Sequence, residues 1–249
     1  LAEVTRSNSF LRALNSAQNT YTMHHLLQEG LRSLAQTEKS AHDLRRLYEI
    51  AGDWYRRREQ YHQAFHYYVV GGSYQTAQQL FREVGPHMTE QTRLDALQRS
   101  IDSLPEETIG EYPWFAYSRG LALINSDPVA ALPWLETALA GFRDDADEIG
   151  DLLCCMQIIY YSMAVDGSYL RGYPLLQRSM ELYDSYGEQL APPLKCHAEN
   201  IFLFANTLIF FNLNEADRFL DSGLENARKL GLVHLEAEAH QSRFFRFIL

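Results

Sequence analysis

The chain has 249 residues, 46% of them hydrophobic and 22% charged, and its formal net charge is −10 at pH 7. This composition excludes a disordered or fibrous chain and leaves enough length to bury a sizeable core. Residues 1–85 carry ten Lys/Arg and eight Asp/Glu, whereas residues 86–249 carry twelve and twenty-four. Because an acidic surface repels phosphate backbones, we expect no direct nucleic-acid binding.

The apolar segments and the cysteines indicate a cytoplasmic protein. The richest apolar run, 201–213, is interrupted by two asparagines and is shorter than the roughly 20 apolar residues that span a bilayer. Residues 1–14 lack the apolar core of a signal peptide. The three cysteines (Cys154, Cys155 and Cys196) are odd in number and have no C-x-x-C spacing, which is typical of reduced thiols. We therefore predict cytoplasmic localisation without membrane contact.

Residues 1–40 differ from the rest of the chain. A turn-rich segment, 15–19, separates Phe10–Leu14 from Thr20–Met23, and this arrangement predicts a small β-hairpin. A helix is expected to follow from His24–His25, with leucines along one face. Since a lone hairpin is only marginally stable, we expect it to pack on these helices or to belong to a domain shared with preceding sequence.

From residue 41 the apolar periodicity predicts helices almost throughout. The stretch Leu44–Phe81 carries apolar residues at steps of three and four and is broken at Arg58–Glu59 and at Gly71–Gly72, so we expect three short helices that bury one another's faces. Short connections between successive helices indicate antiparallel neighbours. Further helices are predicted at Met88–Leu104, Pro113–Asn125, Asp127–Phe142, Asp147–Val165, Leu170–Tyr186, Pro193–Phe211, Glu215–Leu230 and Leu235–Leu249.

A degenerate repeat runs through the second half. In each unit a bulky residue or Gly is followed by small, large and small residues at steps of four and three: Gly120 with Ala131, Leu135, Ala138; Tyr160 with Gly172, Leu176, Ser179; Phe204 with Ala216, Leu220, Gly223. This pattern is similar to that of tetratricopeptide (TPR) repeats, in which small residues let two helices approach closely. We predict an all-α fold: a TPR-like, right-handed superhelix of antiparallel hairpins.

Several segments in order resemble one family. Tyr21–Leu31 (YTMHHLLQEGL) is similar to the segment that closes the winged-helix domain of MalT-type, LuxR-family signal-transduction ATPases. Leu47–Phe81 resembles that family's linking helices, and Leu94–Phe142 resembles the start of its sensor region. The resemblance covers residues 10–142 well and the remainder in pattern only.

The resemblance implies a modular parent with a nucleotide-binding domain, a winged helix, a TPR-like sensor and a DNA-binding helix-turn-helix. The chain has no G-x-x-x-x-G-K-[ST] motif, so we expect no cofactor here and ATP only in the parent. The implied domains are the end of a winged-helix domain (1–40), linking hairpins (41–105) and a sensor superhelix (106–249). We interpret the chain as a fragment of such a regulator.

TPR geometry places ligand contacts on the first helix of each hairpin. Counting from the small-residue positions gives Trp114, Tyr117, Gln157 and Tyr161 as candidate ligand-binding residues, which would suit a sugar or a peptide. Packing between helices is the other explanation for these aromatic residues. We therefore expect a small-molecule effector or a protein or peptide as partner.

The remaining polar clusters give little chemistry. Arg56, Arg57 and Arg58 are candidates for contact with an acidic domain of the parent or with a nucleotide phosphate bound in it. The other explanation is a solvated helix end whose cations complement the helix dipole. The acidic run at 144–148 lacks EF-hand spacing and is interpreted as a solvated loop. His62 and His66 have the i, i+4 spacing of metal ligands but no matching third ligand, so we predict no metal site.

No catalytic motif is visible, and we predict that the chain is not an enzyme. The leading hypothesis is an effector- or partner-sensing module that relays binding to nucleotide-dependent oligomerisation elsewhere in a bacterial transcriptional regulator. The alternative is a stand-alone TPR-like adaptor that binds a protein or peptide.

Overall fold

The computed structural model describes residues 11–15, 20–84, 99–124, 126–166, 169–208 and 210–248. Strands β1 (Leu11–Asn15) and β2 (Thr20–Met23) pair antiparallel, with Leu11 opposite Met23 and a register irregularity between Ala13 and Asn15. The pair lies where the sequence predicts a hairpin, although Phe10 and the turn at 16–19 lie outside the described residues. Assignment of the hairpin to a winged-helix domain stays a prediction.

Apart from these strands, the described chain is almost entirely helical. The helices, in chain order, are α1 (His25–Glu38), α2 (Ala41–Arg56), α3 (Tyr61–Val70), α4 (Tyr74–Val84), α5 (Glu106–Glu111), α6 (Pro113–Leu123), α7 (Pro128–Asp144), α8 (Glu148–Tyr161), α9 (Tyr169–Tyr186), α10 (Pro192–Leu208), α11 (Leu213–Leu230) and α12 (Val233–Ile248). A π-helical segment, Ser162–Asp166, continues α8, and Gly187–Gln189 forms a 3₁₀ turn after α9. The predicted all-α class is confirmed at this level.

The helix ends follow local sequence chemistry. Ser40, Asp127 and Asp147 accept hydrogen bonds from backbone N–H groups three residues later, which satisfies donors that the first turn of a helix leaves open. The break after α3 uses Gly72 at φ 72°, a conformation that glycine adopts without a Cβ penalty. Residues 99–102 are helical, but 85–98, most of the helix predicted at Met88–Leu104, lie outside the described residues.

Consecutive helices pack as hairpins: α2 with α3, α6 with α7, α8 with α9, and α10 with α11. The small, large and small positions of α7, α9 and α11 are all buried, as the repeat pattern predicts. The helices approach closely at Gly120, where an added Cβ would lie 2.7 Å from Leu135 Cγ and Cδ2. The pattern therefore marks the surfaces on which hairpin partners meet.

One apolar core extends from α3 to α12. Phe65 of α3 packs edge-on against Phe115 of α6, with ring centroids 5.7 Å apart, and Trp114 packs against Phe142 of α7 at 5.0 Å. Side chains on both sides of the predicted 105/106 boundary thus share a core. The functional assignment of the segments stays a prediction.

Candidate functional site

The first helices of successive hairpins line a cleft in the second half of the chain. This first-helix cleft has a volume of about 450 Å³, within the range of small-molecule sites. No residue of α7, α9 or α11 contributes to it among the described lining. Its lining residues are Ile124, Gln157, Tyr160, Met163, His197, Asn200, Ile201, Phe204, His234, Leu235, Glu238 and Gln241.

Asn200 carries an unused hydrogen-bonding atom in the cleft. Its side-chain Nδ2 donates to Glu238 Oε2 of α12, which orients the amide. The residue is only 6% exposed. Its other amide atom, Oδ1, is buried and has no hydrogen-bond partner among the described residues. Since leaving a buried acceptor unpaired costs about 1–3 kcal/mol, this atom is a natural contact for a donor group of a ligand.

Two histidines face the same cleft. His197 of α10 is partly buried and His234 of α12 is exposed. Burial lowers the pKa of His197, and the nearby His234 lowers it further because two cations would repel. His197 is therefore neutral at pH 7 and offers a ring nitrogen rather than a positive charge.

The sequence-predicted ligand residues separate into two groups. Gln157 lines the first-helix cleft. Trp114, Tyr117 and Tyr161 are 2%, 5% and 6% exposed, and they pack in the apolar core. Burial raises the pKa of Tyr117, with a smaller contribution from Cys154. The packing explanation thus accounts for the three aromatic residues.

Sequence reasoning missed the polar residues of α10 and α12. Tyr160, next to Tyr161, is the tyrosine of α8 that reaches the cleft, with 37% exposure. Asn200 and Glu238 are 38 residues apart, and their contact has no local signature. The offset that leads from Gly120 to Tyr117 and from Tyr160 to Gln157 leads from Phe204 to Ile201. Ile201 lines the cleft beside Asn200, so this count reaches the neighbour of Asn200 but not Asn200 itself.

The acidic run after α7 differs from the predicted solvated loop, because Asp147 is buried. Its Oδ2 accepts a hydrogen bond from Trp114 Nε1 at 2.9 Å and forms an ion pair with Arg82 Nε at 3.1 Å. Its Oδ1 caps α8 through Gly150 N at 3.1 Å. Asp144 and Asp145 are exposed, as expected. The carboxylate of Asp147 therefore connects α4, α6 and α8 and has a structural explanation.

The arginine cluster lies at the end of α2. Arg56 pairs with Glu83 of α4 at 2.5 Å, and the Arg58 guanidinium lies 3.7 Å from the centroid of the Trp54 ring, whereas Arg57 is exposed. Leu47, Ile50 and Trp54 are 51%, 54% and 44% exposed. Their spacing puts them on one face of the helix. We call Leu47, Ile50 and Trp54 the α2 stripe.

A second cleft of about 450 Å³ contains the histidine pair of α3. His62, His66, Tyr67 and Ser100 are among its lining residues, and His66 Nδ1 lies 3.2 Å from Ser100 Oγ. Across the described residues, no group of three or more His, Cys, Asp or Glu side chains is arranged to hold a metal ion.

All three cysteines are buried and unpaired with one another. Burial raises the thiol pKa of Cys154 and Cys155, and it raises that of Cys196 to about 11, with a further contribution from Glu199. A raised pKa keeps the thiols protonated, so they behave as small apolar side chains.

Neither a scan against protein-family models nor searches of the curated proteins and of the solved structures finds a match for this chain. No helix among the described residues is both long enough and apolar enough to cross a membrane.

Proposed function

We propose that the chain is the sensing region of a MalT-type, LuxR-family transcriptional regulator. In this proposal the helical hairpins form a TPR-like, right-handed superhelix, and an effector or partner binds in the first-helix cleft. The observation that carries the proposal is the lining of that cleft by the first helices of successive hairpins, which is where TPR-like arrays hold their ligands. The segments that resemble the family's winged-helix and linking regions support this choice of parent.

The proposed role is binding without catalysis. An effector that prefers one of two states of the parent shifts the population towards it, and the coupling equals the difference in its affinity for the two states. Nucleotide-dependent oligomerisation would take place in another domain, with ATP bound there. This chain would supply the ligand contacts, in a bacterial cytoplasm.

The α2 stripe supports contact with another part of the parent. A helix that leaves two large aliphatic side chains and a tryptophan about half exposed on one face has the composition of a surface that another domain covers. Arg57 and Arg58 lie at the end of this helix. In this proposal the arginine cluster borders the interdomain contact, with Arg57 available to an acidic partner surface.

The coding sequence on either side of this segment tests the identity of the parent. An in-frame P-loop domain before it and a helix-turn-helix after it would support the regulator. Independent start and stop codons close to the segment would contradict the regulator and favour the stand-alone adaptor, which would use the same cleft for a peptide.

Binding in the cleft is tested by calorimetry with a metabolite library on the purified chain. We expect Gln157→Ala to weaken the binding of an effector, because Gln157 lines the cleft. The control, Gln177→Ala on the exposed surface of α9, should leave the affinity unchanged. An effector whose affinity is insensitive to Gln157→Ala and to changes at Tyr160 would remove the cleft from the proposal.

A further inference from the structure

A buried, unpaired acceptor and a carboxylate lie side by side in the first-helix cleft. Asn200 presents an unpaired, buried Oδ1, and Glu238, which holds the other end of the same amide, presents a carboxylate beside it. The reverse orientation of the amide would set its oxygen against the carboxylate, so the hydrogen bond to Glu238 fixes Oδ1 as the free atom. A donor that reaches Oδ1 is therefore close to a negative charge.

No lysine or arginine among the described lining residues balances that charge. The basic side chains of the lining are two imidazoles: His197, which burial holds neutral, and His234, which is exposed. An anionic ligand would meet Glu238 and an unpaired carbonyl oxygen without a permanent cation to stabilise it. A neutral ligand could use Oδ1, but it would gain nothing from the charge of Glu238.

Apolar side chains complete the cleft around this polar end. Ile201 and Leu235 are buried beneath it, and Phe204 is partly buried. The rings of Tyr160 and Phe204 add surfaces that attract cations. The cleft thus combines an acceptor pair with apolar and aromatic walls.

We infer that the first-helix cleft binds a small organic amine in its ammonium form, with the cationic group at Asn200 Oδ1 and Glu238 and the apolar body against Ile201, Phe204 and Leu235. An ammonium group has three donors, so it can bond the free carbonyl oxygen and the carboxylate together. This inference rests on the proposed sensing function and names the ligand class for the same cleft.

Three probes with the same phenylethyl body test the charge requirement: phenethylamine, 2-phenylethanol and 3-phenylpropanoate. Each is titrated at pH 7.5 into the full chain carrying ¹³C-methyl methionine. Met163 lies on the cleft, and its methyl signal, assigned with Met163→Leu, reports occupancy at this place. We expect a saturable shift with the amine, a response at least tenfold weaker with the alcohol, and none with the carboxylate.

Glu238→Gln removes the charge while keeping a side chain of the same size. We expect this change to weaken the binding of phenethylamine by about tenfold or more, which is the effect of losing a charge-assisted hydrogen bond. The affinities for phenethylamine and 2-phenylethanol should then become similar. The matched control is Glu225→Gln on α11, an exposed carboxylate paired with Lys229, which leaves the affinity for the amine unchanged. Asn200→Leu removes the carbonyl acceptor and should weaken the binding of both phenethylamine and 2-phenylethanol.

Several outcomes would overturn the inference: equal binding of amine and alcohol, preference for the carboxylate, unchanged amine affinity in Glu238→Gln, or no shift of Met163 with any probe. The first three leave an occupied cleft and therefore leave the sensing function standing with a different ligand class. The last removes this ligand class, and the sensing function is then judged by the metabolite calorimetry and the neighbouring coding sequence.

Discussion

Gly120 and Leu135 make a close contact between the two helices of one hairpin. We predict that Gly120→Ala lowers the free energy of unfolding by about 1–3 kcal/mol, because its Cβ would lie 2.7 Å from Leu135 side-chain carbons. Urea unfolding of the purified variant measures the loss. In the matched control, Gly110→Ala, the new Cβ meets nothing within 4 Å, and the change should be neutral or stabilising by about 0.5–1 kcal/mol. Equal losses at both positions would contradict the packing argument.

Asp147 is a buried carboxylate whose removal should lower stability. Asp147→Ala removes the cap of α8 and the acceptor of the Trp114 indole, so we predict a loss of about 2–4 kcal/mol. Denaturant unfolding followed by tryptophan fluorescence gives the value. Asp145→Ala, two residues earlier and exposed, should change stability by less than about 0.5 kcal/mol. A small loss at Asp147 would mean that water replaces the carboxylate at no cost.

His197 makes stability depend on pH. Its pKa is lowered in the folded state by burial and by His234, whereas the unfolded chain has the ordinary value of about 6.5. Between the two pKa values the unfolded state binds more protons, so the free energy of unfolding falls as pH decreases through about 6.5 and levels off below the folded pKa.

We therefore expect the difference in unfolding free energy between pH 7.5 and pH 5.5 to shrink in His197→Gln. His42→Gln, on the exposed surface of α2, is the control and should retain the difference found in the original chain. Denaturation curves at the two pH values give the free energy of unfolding of each protein. An identical pH dependence in all three proteins would contradict the role of His197 in it.

At the scale of helices, α2 exposes an unusual apolar face. We predict that Leu47→Glu with Ile50→Glu leaves the free energy of unfolding within about 0.5 kcal/mol of the original value, because both side chains are more than half exposed. Self-association of the isolated chain, measured by light scattering, should decrease. Val129→Glu on α7, at 71% exposure, is the control for a single exposed apolar residue and should not reduce association. A large loss of stability would show that the α2 stripe is part of the core.

The helices were predictable because their signals are local. Periodic apolar residues, N-terminal caps such as Asp127 and the Gly71–Gly72 break lie within one element or its boundary. The small, large and small repeat predicted which positions of α7, α9 and α11 are buried. Such features require only a few neighbouring residues, and the structure contains them where the sequence indicates.

The cleft was less predictable because its polar contacts join distant segments. Asn200 meets Glu238 across 38 residues, and Asp147 meets Trp114 across 33. Whether an acidic or amide side chain is solvated or buried depends on such a partner, so composition alone favoured a solvated loop at Asp147. The buried aromatic residues Tyr117 and Tyr161 were similarly ambiguous, because tyrosine suits both a cleft and a core.

At the scale of the whole molecule, one core connects α3 to α12, yet each hairpin contacts mainly its neighbours. Proteins built in this way need not unfold in a single step, since stability is distributed over units and the interfaces between them. The regions at residues 41–105 and 106–249 share aromatic contacts such as Phe65 with Phe115. We therefore expect these regions to stabilise each other.

The reactivity of the buried thiols can show whether the hairpins open together or one after another. Cys154 and Cys155 lie in α8, and Cys196 lies in α10, so two successive hairpins carry separate chemical reporters. A maleimide can reach each sulfur only when its surroundings open, and mass spectrometry of peptides resolves the two sites. Equal modification rates would indicate one cooperative opening, whereas faster labelling of Cys196 would indicate that the array opens first at α10–α12. The labelling rates of the native cysteines thus report the order in which the helical hairpins unfold.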